Sequence, residues 1–327
     1  MKIKLAHSFE DIICIKNLLA AWQEFLPGKR AKPDVQEFGL HLMDNLFALH
    51  YELAHHTYNH GSYQAFRIND PKPRKIHKSS VRDRLLHHAV YRILYPFFDR
   101  TFISDSFSCR LGKGTHKALN RFRAFQYQVS QNDTRICWVL KCDIKKFFEH
   151  INHYILIRIL KEHISDQNIM WLLENVIHSF SAAPGRGLPL GNLTSQLLVN
   201  IYMNEFDQFA KHALKSKYYI RYADDFVILS HDKTRLEGLL PRIDNFLTER
   251  LALTLHPNKI SIETVASGID FLGWVHFSDH RVLRTVTKRR MIRKLQNEFT
   301  KESLASYVGL LGYGNAKKIL NSLAIMD

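Results

Sequence analysis

Asp224 and Asp225 stand side by side in YYIRYADDFVILS (218–230), a segment that reads as two apolar β runs meeting at the acids. Adjacent carboxylates leaving apolar strands lose hydration and repel each other, a cost that a bound cation offsets. A polar turn accounts for the pair equally well, since Asp is common in tight turns. Asp143 breaks the tie, because it ends a second β-type run, ICWVLKCD (136–143). Carboxylates from two neighbouring strands can hold two divalent ions at the separation of about 3.5–4 Å used for in-line phosphoryl transfer. Mg²⁺ suits such hard oxygen ligands and keeps positions open for substrate phosphates, with Mn²⁺ as a substitute.

The elements that must carry these acids alternate between helix and strand. Apolar residues at three- and four-residue spacings predict helices over 9–26 and 35–57, separated by Pro27, Gly28 and Pro33. Residues 63–68 and 72–76 read as a hairpin around Asn69-Asp70-Pro71, followed by a helix over 81–98. Two helices fill roughly 150–180, another begins after Gly191, and a further one covers 233–250. Strands are expected near 252–255 and 269–277, and the last 45 residues read as basic and helical. Without Gly-rich βαβ turns, this order implies an α+β fold, an antiparallel sheet covered by helices.

Composition narrows the partners. The 327 residues hold 46 Lys and Arg against 31 Asp and Glu, a net charge of +15 dispersed along the chain. Such an excess suits a polyanion, because neutralised phosphates release counterions; a soluble protein of high pI is the plain alternative. Hydrophobic residues at 46% exclude a disordered basic protein. Cys14, Cys109, Cys137 and Cys142 form no C-x-x-C pair, which argues against disulfides and structural zinc and for a cytoplasmic chain. The 19 histidines are scattered. Asp11, Lys16 and Glu24 interrupt the apolar start, so it reads as an amphipathic helix and not a signal peptide, and no apolar run is long enough to span a membrane.

RYADDF (221–226) resembles the Y-x-D-D box of reverse transcriptases, and CDIKKFFEHI (142–151) resembles their first catalytic-Asp motif. PKPRKI (71–76) is similar to the fingers motif and SCRLGKGTHKAL (108–119) to the R-x-G-x-G-x-H block. LPLGNLTSQLLVNIYMN (188–204) takes the place of L-P-Q-G…S-P, while Asn258-Lys259 and GIDFLGW (268–274) resemble the later palm motif and primer grip. Y-x-D-D alone is weak, but seven blocks in order over residues 60 to 300 are specific. The resemblance implies a right-hand polymerase: a helical segment over 1–58, fingers and palm over 59–278, and a short basic thumb over 279–327.

It also implies roles. Asp143 and Asp224 would ligate both metals, with Asp225 in support and the Ile144 carbonyl as an extra ligand. Lys72 and Arg74 would clamp the triphosphate, Arg offering a fork matched to phosphate oxygens. Phe148 would exclude a ribose 2′-hydroxyl, the alternative being packing beside Phe147. Gly191 would let backbone approach the nascent base pair, with Ser195 and Gln196 starting a helix beneath it. Lys259 either donates a proton to departing pyrophosphate or is a surface lysine. Phe271, Leu272 and Gly273 would form the primer-grip turn, with Trp274 in the core. Arg281, Arg284, Lys288, Arg289, Arg290, Arg293 and Lys294 read as one basic helix tracking a nucleic-acid backbone, against a solvated face.

Two departures sharpen the resemblance. Leu190 replaces the usual Gln, and Ser195-Gln196 replaces the usual S-P. Together with SCRLGKGTH and HRVLRTVTKRRM (280–291), they resemble reverse transcriptases of diversity-generating retroelements, bacterial or phage-encoded. Such enzymes copy a template-repeat RNA into cDNA with errors opposite adenines, use deoxynucleoside triphosphates, and work with a pentameric accessory variability protein. The length fits an enzyme ending soon after a short thumb. The alternatives are an abortive-infection, CRISPR-associated or group II-like reverse transcriptase, a template-independent polymerase, or a catalytically silent RNA-binding scaffold.

Overall fold

A computed structural model describes residues 3–69, 73–297 and 300–316. The chain divides into two compact units. The first takes the residues up to Ile103, Ile144–Phe209 and Asn245–Thr254; the second takes Ser104–Asp143, Ala210–Asp244 and the residues from Leu255 onward.

The first unit is helical apart from one hairpin. Its core gathers Leu18, Phe25, Leu46, Leu49, Leu53, Leu85, Leu86 and Tyr202, all buried. Two expected helices are each split. The first becomes Phe9–Ile13 and Ile15–Phe25, because Cys14 is extended (φ −56°, ψ 142°). The buried Asn17 amide donates to the Ile12 carbonyl at 2.8 Å and the Ala89 carbonyl at 3.2 Å, satisfying itself and a carbonyl near the break. The second becomes Pro33–Leu40 and Leu42–Ala54, and the Asn45 amide caps the Phe38 carbonyl at 3.0 Å. Strands β1 (Gln64–Ile68) and β2 (Arg74–Lys78) form an antiparallel hairpin, with Ile68 opposite Arg74. The second strand therefore runs two residues later than the sequence suggested.

Helices Val81–Asp99 and Leu193–Gln208 form the centre of this unit. Around them lie Phe147–His150, His153–Lys161 and Gln167–His178. Caps set several starts: Ser80, Asn152 and Asp166 each accept a backbone N–H of the first turn.

The second unit is built on a four-stranded antiparallel sheet, ordered β4-β5-β3-β6. Its strands are β3 (Trp138–Asp143), β4 (Tyr219–Tyr222), β5 (Asp225–Ser230) and β6 (Ser261–Thr264). Helix Thr115–Ser130, which the sequence left unassigned, packs Leu119, Phe122 and Phe125 into the same core as Val139, Ile220 and Val227. A second sheet follows, from β7 (Ile269–Phe271), β8 (Trp274–His276) and β9 (Arg281–Leu283). Trp274 is buried, as expected.

Two expectations fail here. Residues 252–255 form no strand of either sheet; Leu251, Leu253 and Leu255 are buried, so their alternation reflects burial of an irregular segment that begins with Ala252 at positive φ (49°). Arg281 and Arg284 lie outside the basic helix, which is Thr285–Asn297. The Arg281 strand pairs with β8, and Arg284 forms an ion pair with Asp270. All four cysteines are free. No described helix is long and apolar enough to cross a membrane.

Candidate active site

β3 and β5 pair so that Asp143 faces Asp225 directly across the ladder. Tyr222 pairs with Asp225, which leaves Ala223 and Asp224 as the two residues of the hairpin turn. Ala223 takes positive φ (56°), a conformation that L side chains resist and that clusters at functional sites. Arg221 holds this turn. Its side chain is fully buried; one guanidinium nitrogen donates to the Ala223 carbonyl and another to Ser106 Oγ, each at 3.2 Å.

The electrostatics follow from burial. Asp143 is 6% exposed. Asp225 has its pKa raised to about 7, first by burial, then by the charges of Asp224 and Asp143, with Lys141 partly opposing. Lys259 answers this negative cluster: its Nζ lies 2.7 Å from Asp143 Oδ1. The Cys142 thiol next to Asp143 is pushed up to about 12, chiefly by burial. As arranged, no three His, Cys, Asp or Glu side chains among the described residues form a ready metal-binding group. Thus the three acids expected to hold two ions share one sheet end, and Lys259 occupies Asp143. Their chemistry nevertheless fits a divalent ion, since the donors are all carboxylate oxygens and a cation would relieve the repulsion that adds to burial in raising Asp225. Ile144 follows with its side chain buried.

In the first unit, Arg74, Phe148 and Leu190 line one cleft of about 500 Å³, together with His77, Phe180 and Leu188. The His77 and Phe180 rings lie 4.5 Å apart, and Phe148 meets Phe147 edge-on at 5.6 Å. Phe148 is half-buried, so it packs beside Phe147 and also presents a wall to the cleft. His77 N–H donates to the Leu190 carbonyl at 3.1 Å. Gly191 has φ +114°, and a Cβ there would lie 2.9 Å from Ile76 Cγ2, so only glycine fits. Ser195 and Gln196 lie in the first turn of helix Leu193–Gln208, outside the cleft lining. Lys72 lies outside the described residues.

Phe271 pairs with Trp274, so Leu272 and Gly273 form a two-residue turn, both at positive φ (52° and 86°). Of the basic series, Lys288, Arg289, Arg293 and Lys294 are exposed on the helix, Arg290 is half-buried, and Met291 and Leu295 face the core. Arg281 is engaged with the Tyr313 carbonyl and the Trp274 ring.

The reverse transcriptase (RNA-dependent DNA polymerase) family matches residues 68–276, close to two thirds of the chain. The chain belongs to this family. It is by that membership an RNA-directed DNA polymerase. It is 28% identical over 301 residues to Protein YkfC of Escherichia coli, covering 77% of this chain and 76% of that protein. To the group II intron-encoded protein LtrA of Lactococcus lactis it is 26% identical over 187 residues, 52% of this chain and 30% of LtrA. The fold resembles telomerase from Candida albicans, solved with a fragment of telomeric RNA, at TM-score 0.52 and 13% identity over 73% of this chain and 50% of that one. The chain thus spans about three quarters of YkfC and half or less of LtrA and telomerase.

Two residues of these sites escaped the sequence reading. Arg221 carries a signal, a lone charge in an apolar strand three residues before the paired acids. Phe180 carries none: it follows helix Gln167–His178 and lines the cleft beside residues distant in the chain.

Proposed function

We propose that this reverse transcriptase extends a primer on an RNA template by two-metal nucleotidyl transfer at Asp143, Asp224 and Asp225. The observation that carries the reading is the Asp143–Asp225 pairing across the ladder, beside the turn that bears Asp224. Asp143 and Asp224 would hold the ions, Asp225 would support them, and Ile144 would add its carbonyl. When bound, divalent cations activate the attacking 3′-oxygen and neutralise the leaving phosphates. The protein's share is positioning. Arg74, with Lys72, addresses the triphosphate from the hairpin, Phe148 excludes a ribose 2′-hydroxyl, and Gly191 admits backbone to the base pair over the helix that Gln196 begins. Phe271, Leu272 and Gly273 hold the primer end. Lys259 would yield Asp143 to a bound ion and donate a proton to the departing pyrophosphate. The hairpin and the helices beneath it serve as fingers, the four-stranded sheet as palm, and residues 279–327 as thumb.

We further propose that the enzyme serves a diversity-generating retroelement in a bacterial or phage-encoded cytoplasmic setting, with a structured template-repeat RNA and a pentameric accessory protein. Leu190 supports this. In the related enzymes with Gln at this position, the amide hydrogen-bonds near the incoming sugar and helps order the arginine; a leucine offers neither donor nor acceptor. A correct nucleotide then gains fewer geometry-dependent contacts than a wrong one. One hydrogen bond of roughly 1 kcal/mol changes discrimination severalfold. A second reading, a group II-like enzyme, draws on the similarity to LtrA. Sequencing cDNA made on one RNA template by wild type and Leu190→Gln separates them. Frequent wild-type errors opposite adenine, reduced in the mutant, are expected; an accurate wild type favours the second reading.

A further inference from the structure

The outer part of the hairpin that carries Arg74 has little to aim it, whereas at its base His77 meets Leu190 and Lys78 pairs with Asp34 at 2.7 Å. All five residues of β1 are exposed, as are Arg74 and Lys75 of β2. An isolated two-stranded hairpin has marginal stability and no packing of its own to fix its direction. Its orientation must come from its base.

That base converges on one carboxylate. Asp83, in the first turn of helix Val81–Asp99, is fully buried. From the segment leading into β1, Tyr58 Oη donates to it at 2.8 Å and the Gly61 N–H at 3.2 Å. From the segment leaving β2, Ser80 Oγ donates at 2.7 Å. Arg82 adds a guanidinium nitrogen at 3.3 Å and lies over the Tyr58 ring. A Cβ at Gly61 would sit 2.9 Å from Asp83 Oδ2, so the close approach of this backbone depends on glycine. A buried charge is costly unless each lone pair is met, and helix packing alone would be served by an apolar side chain. What the carboxylate adds is a bond to both ends of the hairpin at once.

The same network reaches the cleft wall. His60 and His87 meet at 3.1 Å through their Nε2 atoms, and His87 Nδ1 lies 3.3 Å from Thr194 Oγ1 in the helix after Leu190-Gly191. Ser79 Oγ donates to Asn192 Oδ1 at 3.3 Å, beside the bond from His77 N–H to the Leu190 carbonyl.

We propose that Asp83 is a positioning residue for nucleotide binding: it clamps both ends of the hairpin and so aims Arg74 at the incoming triphosphate. This rests on the reading above that Arg74 meets the triphosphate. The test is a double-mutant cycle of Asp83→Asn and Arg74→Ala in the full chain, measuring primer extension on an RNA template with deoxynucleotide varied, RNA affinity, and thermal midpoint. Each single variant should raise KM for the nucleotide by roughly tenfold, with kcat and RNA affinity changed far less. Asp83→Asn should add nothing in the Arg74→Ala background. A lower thermal midpoint with unchanged KM, or effects that multiply in the double variant, would overturn the proposal. An unchanged KM in Arg74→Ala would overturn the reading of Arg74, and the proposal with it. If Asp83→Asn does not fold, Ser80→Ala and Tyr58→Phe each remove one donor and enter the same cycle, with smaller rises in KM expected.

Discussion

Lys259 sits on the carboxylate that the proposed chemistry needs for a metal ion. The Lys259 side chain is 43% exposed while the Asp143 side chain is 9% exposed, so the cation reaches in from solvent and can leave to it. Asp225 differs. Its carboxyl is buried beside two other acids, with only Lys141 partly opposing, so its pKa is raised to about 7. Replacing Asp143 or Asp224 by Asn keeps shape and removes charge. Primer extension in Mg²⁺ should fall by at least roughly a hundredfold, the scale of losing one electrostatic stabiliser from an active site. RNA affinity, measured by filter binding, should stay within a factor of two to three, because phosphate contacts lie elsewhere. Near-normal extension by Asp224→Asn would remove the carboxylates from the chemistry. The acids themselves were legible in the chain, as a pair at a strand tip and a third ending a run. Their occupancy was not, since Lys259 lies 116 residues from Asp143.

Helix Thr285–Asn297 turns Met291 and Leu295 inward and leaves Lys288, Arg289 and Arg293 to solvent. A face of this kind offers phosphates a row of cations without reading bases. Changing those three residues to Gln should weaken binding to unrelated RNAs about equally. It should also flatten the slope of log affinity against log salt by about two, given roughly 0.7 per single-strand phosphate contact. An unchanged slope assigns the helix to a solvated face. The basic run looked continuous in the sequence from Arg281, yet the helix begins only at Thr285. β-pairing of Arg281–Leu283 and the Arg284–Asp270 ion pair divert two of the seven cations to local structure. Composition registers charge and cannot register which charges are already spent.

Across the whole molecule, each unit buries a histidine that folding keeps neutral. His87 in the first unit and His276 in the second both have pKa values lowered to about 3, chiefly by burial. In the unfolded chain both return to about 6.5. Between these values the unfolded state binds more protons, so stability is fully present above pH 6.5 and is lost as pH falls toward 3. Each histidine contributes a slope of up to about 1.4 kcal/mol per pH unit in that window. Urea midpoints followed by circular dichroism should therefore decline from pH 6.5 to 4.5. His87→Gln should reduce that decline, and an equal decline in the variant would show that His87 does not contribute.

Short motifs were enough to point to the reverse transcriptase family, and local patterning placed two acids at a strand tip and a third at the end of another strand. These are short-range properties: alternation along a strand, a pair of acids at a turn, a motif within ten residues. The tertiary structure decided what depends on distant partners. It set the register that places Asp143 opposite Asp225, the burial that raises Asp225, and the Arg221 contact that holds the turn. It also brought Phe180 beside Arg74 and Leu190, and converged both ends of the hairpin on Asp83. None of these has a signature at fixed spacing, because a side chain's partner across a sheet or a helix interface is set by packing, and packing is a property of the folded chain.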